Sequence, residues 1–311
     1  MSQAIRDVYG NALVKYGADN NRVVVLDADV CSSTKSGLFG NKFPERFYNC
    51  GISEYAMMGM ASGMAMNGKI PFVNTFAVFI TTLGSIPARA FLSYSNLNVK
   101  MMGAYGGLSD SYDGASHQSL EDIAAMRSLP GMTVMVASDE YITDWMVKTA
   151  IEVEKPMYIR LSRDVAPICH TPDYNYEIGK GVVVKEGTDA TIIACGVMVG
   201  IAMEAAAELK KEGINVKIVD MFTIKPLDED LVISSAKETG AIITAEEHNV
   251  IGGLGSAVAE TLAKNKSNIP FKMIGMQDCH GESGAYSELL KKYGLDSTAI
   301  MAAVKNAISE K

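Results

Sequence analysis

Two spacings alternate along the first half of the chain. Short runs that are apolar throughout, VVVLDAD (23–29), IPFVN (70–74), NVKMMGA (98–104), TVMVAS (133–138) and PMYIRLS (156–162), read as strands. Between them lie longer stretches whose apolar residues recur at helical spacing. Ile5, Val8, Ala12 and Leu13 place a helix over residues 2–17, and others are expected at 54–67, 119–129 and 139–152. Ser53, directly before the second of these, is a good N-cap residue type. Strands with no polar alternation are buried on both faces, which implies a parallel sheet covered by helices.

The pattern breaks after Arg163. PICHTPDYNYEIGK carries Pro167 and Pro172 among polar residues and reads as a linker. A second series then begins, with strands at 182–184, 191–196, 216–221, 241–247 and 271–277. Its helices are expected at 197–212, 228–239, 253–265, 284–293 and 297–309. The expectation is therefore two doubly wound α/β domains, 1–165 and 181–311, joined by a linker at 166–180.

Composition narrows the possibilities. At 311 residues and 48% hydrophobic content the chain can bury two cores, and 19 Met against 7% aromatics make them mostly aliphatic. A net charge of −8 argues against a nucleic-acid partner, which needs a basic face. Cys31, Cys50, Cys169, Cys195 and Cys279 are odd in number and form no CxxC pair. A disulfide scaffold or zinc ribbon is not expected, and a reducing cytoplasm is. No secretory signal is expected, since MSQAIRDVYG is already amphipathic, and no apolar run reaches the ~18 residues of a membrane span.

Ligands of open α/β sheets gather at the carboxyl ends of strands. Asp27 and Asp29 stand there after the first strand, Asn74 to Phe79 after IPFVN, and the polar GGLSDSYDGASHQ loop (106–118) after the third. One further feature is unusual. FYNCGISEYAMMGMASGMAMNG (47–68) holds a single acid, Glu54, ahead of a run of Ala, Met and Gly. Met57 and Met58 give that carboxyl an apolar setting, which disfavours a charged form.

Taken as an ordered set, GISE…G…G (51–63), TFAVF (75–79), DGASHQSLED (113–122) and RLSR (160–163) resemble the pyrimidine-binding domain of the transketolase family. TIIACGVMVGIAMEAAAELKKEGINVKIVDMFTIKPLD resembles its C-terminal domain. The likeness covers nearly the whole chain and is strongest to the separate C-terminal subunit of a split transketolase. It implies thiamine diphosphate as cofactor. Glu54 would hold N1′ of the aminopyrimidine and favour the imino tautomer that removes the thiazolium C2 proton. Phe79 and Phe76 would wall the pyrimidine, and Asp29 would lie near the thiamine ring. His117 would contact substrate hydroxyls and aid proton transfer, and Asp113 would bind a sugar hydroxyl. Arg6, Ser33 and Arg163 would clamp the far anion of the sugar.

The sequence departs from that family pattern in two places. Tyr105 stands where many relatives have His, and Tyr112 where many have Glu, so an ordinary pentose-phosphate substrate is in question. The family's Mg²⁺–diphosphate motif, GDG followed by Asn, does not occur. The resemblance therefore implies an N-terminal partner carrying GDG…N, in an α₂β₂ assembly with Mg²⁺ and the diphosphate held mainly by the partner. The rival readings are the β subunit of a 2-oxoacid dehydrogenase E1 and a non-catalytic scaffold. The GGLGS turn (252–256) is assigned to packing. His248 and His280 are read as interface or core-edge residues and not as metal ligands.

Overall fold

The computed structural model describes residues 3–172 and 174–311. Ser2, the expected start of the first helix, and Asp173 in the expected linker lie outside the described residues. Six strands of the first half are β1 (Val23–Asp27), β2 (Phe47–Asn49), β3 (Ile70–Phe76), β4 (Lys100–Ala104), β5 (Thr133–Val136) and β6 (Met157–Arg160). The second half supplies β7 (Val182–Lys185), β8 (Ala190–Ala194), β9 (Val216–Asp220), β10 (Thr223–Lys225), β11 (Ile242–Asn249) and β12 (Phe271–Met276).

They form two sheets, ordered β10-β5-β6-β4-β3-β1-β2 and β12-β11-β8-β9-β7. Most pairs are parallel, as the uninterrupted apolar runs require. In β1, Val23 and Val25 pack into one core and Val24 and Leu26 into another, so neither face can afford a polar residue. The sheets are mixed, however, and the expectation of a wholly parallel first sheet is corrected. β7 pairs antiparallel with β9 at one edge, and β10 pairs antiparallel with β5. β10 comes from the second half of the chain yet extends the first sheet. Its three residues, Thr223–Lys225, are too few for any period to show in sequence.

Helices match the expected periods with trimmed ends: Ile5–Ala18, Glu54–Met66, Glu140–Glu152 and Ser297–Ser309. The exception is 119–129, where only Asp122–Arg127 is helical. Residues 119–121 lie outside the helix, and Ser119 bridges to Gly106 and Gly107.

The two halves are locked by buried charge. Arg160, at the end of β6, donates through Nε to Asp122 Oδ2 at 2.8 Å and through Nη2 to the carbonyls of Ser119 (3.0 Å) and Glu247 (2.9 Å). Glu247, on β11, reaches back and accepts from the Leu108 amide at 2.6 Å. Gly107 permits that contact: its φ is +70°, and a Cβ there would overlap the Glu247 carboxylate. Gly107→Ala is therefore expected to lower Tm and weaken the ordering of the 106–118 loop, measured by thermal denaturation and amide exchange across that loop. An unchanged Tm and exchange profile would show that the loop does not depend on this contact.

Candidate active site

Strand ends bring the candidate residues together. β1 finishes at Asp27, a buried carboxylate that accepts from the Val30 amide (2.7 Å), Thr34 Oγ1 (2.9 Å) and Ser36 Oγ (2.7 Å). Burial pushes its carboxyl above the ordinary range, against these bonds. Asp27 thus builds the turn and is not free for a ligand. Asp29, two residues on, has φ +68° and accepts from Asn49 Nδ2 at 2.7 Å. β3 ends in Phe76, and the helix Ala77–Thr82 that follows carries Phe79.

Asp29, Glu54, Thr75, Phe76, Phe79 and His117 line one cavity of ≈ 310 Å³, with Val30, Ile52 and Leu83 among its apolar walls. Glu54 opens the helix Glu54–Met66 and is only 4% exposed, above the fully buried Met57 and Met58. Its Oε1 accepts from Thr75 Oγ1 at 3.2 Å. Ser53 holds the N-cap position but its side chain makes no capping bond, which corrects that expectation. Phe76 and Phe79 lie 6.0 Å apart between centroids. The His117 ring stands edge-on to Phe79 at 5.1 Å, and its Nδ1 is 2.9 Å from Ser116 Oγ. Thr75 falls within the candidate stretch 74–79 but has no role of its own in the sequence reading, because TFAVF reads equally well as core.

The remaining candidates meet at Tyr105. Its ring stacks on Phe76 at 4.7 Å, and its backbone has φ +60°. Arg6 hydrogen-bonds the Tyr105 hydroxyl, which donates to the Ser33 carbonyl at 3.3 Å. The guanidinium carbons of Arg6 and Arg163 lie 5.5 and 5.3 Å from the Tyr105 ring centroid. The three residues expected to clamp an anion therefore converge on Tyr105, one of the two positions that depart from the family pattern. Arg163 Nη1 is also 3.5 Å from Oδ1 of the fully buried Asp110. Asp113 is exposed and lies near Asp110, just before the turn at Gly114.

The larger groove, ≈ 670 Å³ between Ala124, Arg127, Lys225 and Glu260, is a weaker candidate. Its cations are already engaged, Arg127 with Glu260, Lys264 with Glu229, and Lys225 with the Arg127 and Leu129 carbonyls. At the GGLGS turn the chain's own Glu246 accepts from the Leu254 (2.7 Å) and Gly255 (2.8 Å) amides, so the helix N-terminus is filled from within. His248 is buried beside the Ala124 amide, between the two halves, and His280 is exposed. Among the described residues no group of three or more His, Cys, Asp or Glu gathers in a way that could hold a metal.

The cavity is thus an apolar slot at strand ends, with a buried carboxylate at one side and two phenylalanines, whose faces suit stacking, on another. The model of the transketolase pyrimidine-binding domain matches residues 1–167, and that of the transketolase C-terminal domain matches residues 179–300. A putative transketolase C-terminal section from Methanocaldococcus jannaschii is 42% identical, over 96% of this chain and 94% of its own. The 6-deoxy-6-sulfo-D-fructose transketolase subunit SqwH of a Clostridium species is 37% identical, over 99% of this chain and 95% of its own. A solved split-gene transketolase, described as an inactive β4 tetramer, superposes with a TM-score of 0.90 at 46% identity, over 99% of both chains. The chain belongs to the transketolase family, whose members depend on thiamine diphosphate, and corresponds to the C-terminal subunit of a split transketolase.

Proposed function

We propose that this chain, joined to an N-terminal partner, transfers a two-carbon ketol unit from a ketose with an anionic far end to an aldose. The observation that carries this reading is the single cavity on which Glu54, Phe76, Phe79, Asp29 and His117 converge. Its residues fit the pyrimidine half of thiamine diphosphate. Phe76 and Phe79 offer apolar faces to a flat ring, and Glu54 offers a buried carboxyl to a ring nitrogen. When bound, the cofactor supplies the nucleophilic carbon that carries the two-carbon unit between sugars.

The chain's own residues then have separable tasks. Glu54, fixed by Thr75, holds and shares a proton with the ring nitrogen. His117, set against Phe79 and Ser116, moves protons at substrate hydroxyls. Asp113 accepts from a sugar hydroxyl. Arg6, Ser33 and Arg163 orient the far anion, with guanidinium forks suited to an oxyanion. A relative named for a sulfonated ketose supports an anionic sugar.

The diphosphate and Mg²⁺ belong to the partner in this reading, since the sequence lacks GDG and Mg²⁺ needs oxygen ligands together with the phosphates. Exposed apolar side chains support a covering subunit: Ile52 (83%) and Leu83 (54%) line the cavity, and Tyr55, Ile86 and Tyr94 are also exposed. The assembly proposed is α₂β₂, in the cytoplasm and in carbohydrate metabolism. The E1 β-subunit and scaffold alternatives have no specific observation in their favour.

The purified chain with thiamine diphosphate and Mg²⁺ is expected to show no ketol transfer, and adding the GDG-bearing partner to restore it. Turnover by the single chain would overturn the division of labour. No turnover by the pair on any ketose would overturn the activity.

A further inference from the structure

The far end of the site holds a negative charge that an anion clamp does not need. Asp110 is fully buried, its Oδ1 is 3.5 Å from Arg163 Nη1, and its Oδ2 is buried with no hydrogen-bond partner. Arg163 is one-third exposed and faces the Tyr105 ring. Arg6 approaches the same ring and is tied to its hydroxyl. Around the Tyr105 ring, two guanidiniums against one buried carboxylate leave one net positive charge, with the exposed Asp113 beside Asp110 outside that count. The phenol of Tyr105 adds none.

We propose that Asp110 is a specificity-determining residue, which compensates Arg163 from the protein side and restricts the far end of the ketose to a singly charged anion. This deepens the ketol-transfer reading and rests on it. A phosphate monoester carries a second charge above its second pKa of about 6, and that charge would face Asp110. A sulfonate carries one charge at any pH of interest. Burial, with Asp113 beside it, raises the Asp110 carboxyl to about 6, against His117 and Arg163, so it is ionised at pH 8. Asp113 is exposed, and water and salt screen its charge from the bound anion.

The test uses the reconstituted two-subunit enzyme at pH 8 and three ketoses of equal length ending in phosphate, sulfonate or hydroxyl. The wild type is expected to show a lower KM for the sulfonate than for the phosphate. Asp110→Asn is expected to shift the phosphate-to-sulfonate KM ratio toward phosphate by at least about tenfold, the effect of one nearby charge. Asp110→Glu, which restores the charge, is expected to hold the wild-type ratio. A merely structural role would move both anions together. A ratio in Asp110→Asn within about twofold of wild type would overturn the inference. So would a wild type that prefers the phosphate ester, which decides the matter even if the variant does not fold. The hydroxyl-ended ketose separates the two readings. If the wild type fails on all three sugars, ketol transfer falls and the inference with it. If it turns over the neutral sugar and the ratio does not move, the inference alone falls.

Discussion

Glu54→Gln is expected to leave the fold and subunit assembly intact while cutting turnover by about 10²–10⁴, or about 3–5 kcal/mol of barrier. The swap is nearly isosteric. Thr75 Oγ1, 3.2 Å away, can donate to an amide oxygen as it does to the carboxylate, so the side chain stays in place. The helix Glu54–Met66 loses one first-turn acid, a matter of about 0.3–1 kcal/mol. What the role proposed for Glu54 loses is a proton to share with the ring nitrogen. Activation of the cofactor precedes both halves of the reaction, so donor and acceptor turnover should fall together. The decisive readout is exchange of the cofactor's C2 proton in the reconstituted pair. If exchange and turnover stay within about threefold of wild type, Glu54 is only a helix-terminus acid.

Arg160→Met is expected to cost about 3–5 kcal/mol of stability, since it strips the counter-charge from a buried carboxylate. For a chain of this size that lowers Tm by roughly 10 °C. Asp122 is fully buried, and without Arg160 it keeps only the Tyr158 hydroxyl at 2.5 Å as a hydrogen-bond donor. The Ser119 and Glu247 carbonyls lose a donor as well. The pH dependence gives the sign. In the wild type burial pushes the Asp122 carboxyl up, but Arg160 and His248 pull it further down, below its ordinary value of 3.8. That stabilisation is present above the ordinary value and lost as pH falls through the lower folded one. In the variant burial is opposed only by His248 and the Tyr158 hydroxyl, the carboxyl takes up a proton more readily, and the deficit should shrink as pH is lowered from 7 towards 4. A double variant with Asp122→Asn should recover part of the loss, as coupled neighbours do. A Tm within about 2 °C of wild type would mean that the two halves are held by apolar contact and not by this ion pair.

Much of the fold was legible because the period of each element is local. Val23 to Leu26 had to be a two-sided strand, and Ile5, Val8, Ala12 and Leu13 had to share a helix face. The elements that were missed have no period to read. β10 is three residues long and takes its identity from an edge of β5 that lies about ninety residues earlier in the chain. The 119–129 helix was overestimated for a related reason: Ser119 and Leu120 look helical in sequence, but Ser119 bridges to Gly106 and Gly107 and the Leu120 carbonyl accepts from the Asn249 amide.

The candidate site divides in the same way. Sequence alone determined which residue types stand at strand ends, that one acid heads an apolar helix, and that no diphosphate motif is present. Those properties depend only on neighbours along the chain. Tertiary structure decided the rest. Thr75 was indistinguishable from core until the helix of Glu54 packed on β3, and Asp27 looked as available as Asp29 until Thr34 and Ser36 closed over it. Asp110 was one polar residue in a polar loop. Only the fold buries it against Arg163, because burial and the pairing of charges depend on contacts between segments that sequence order keeps apart.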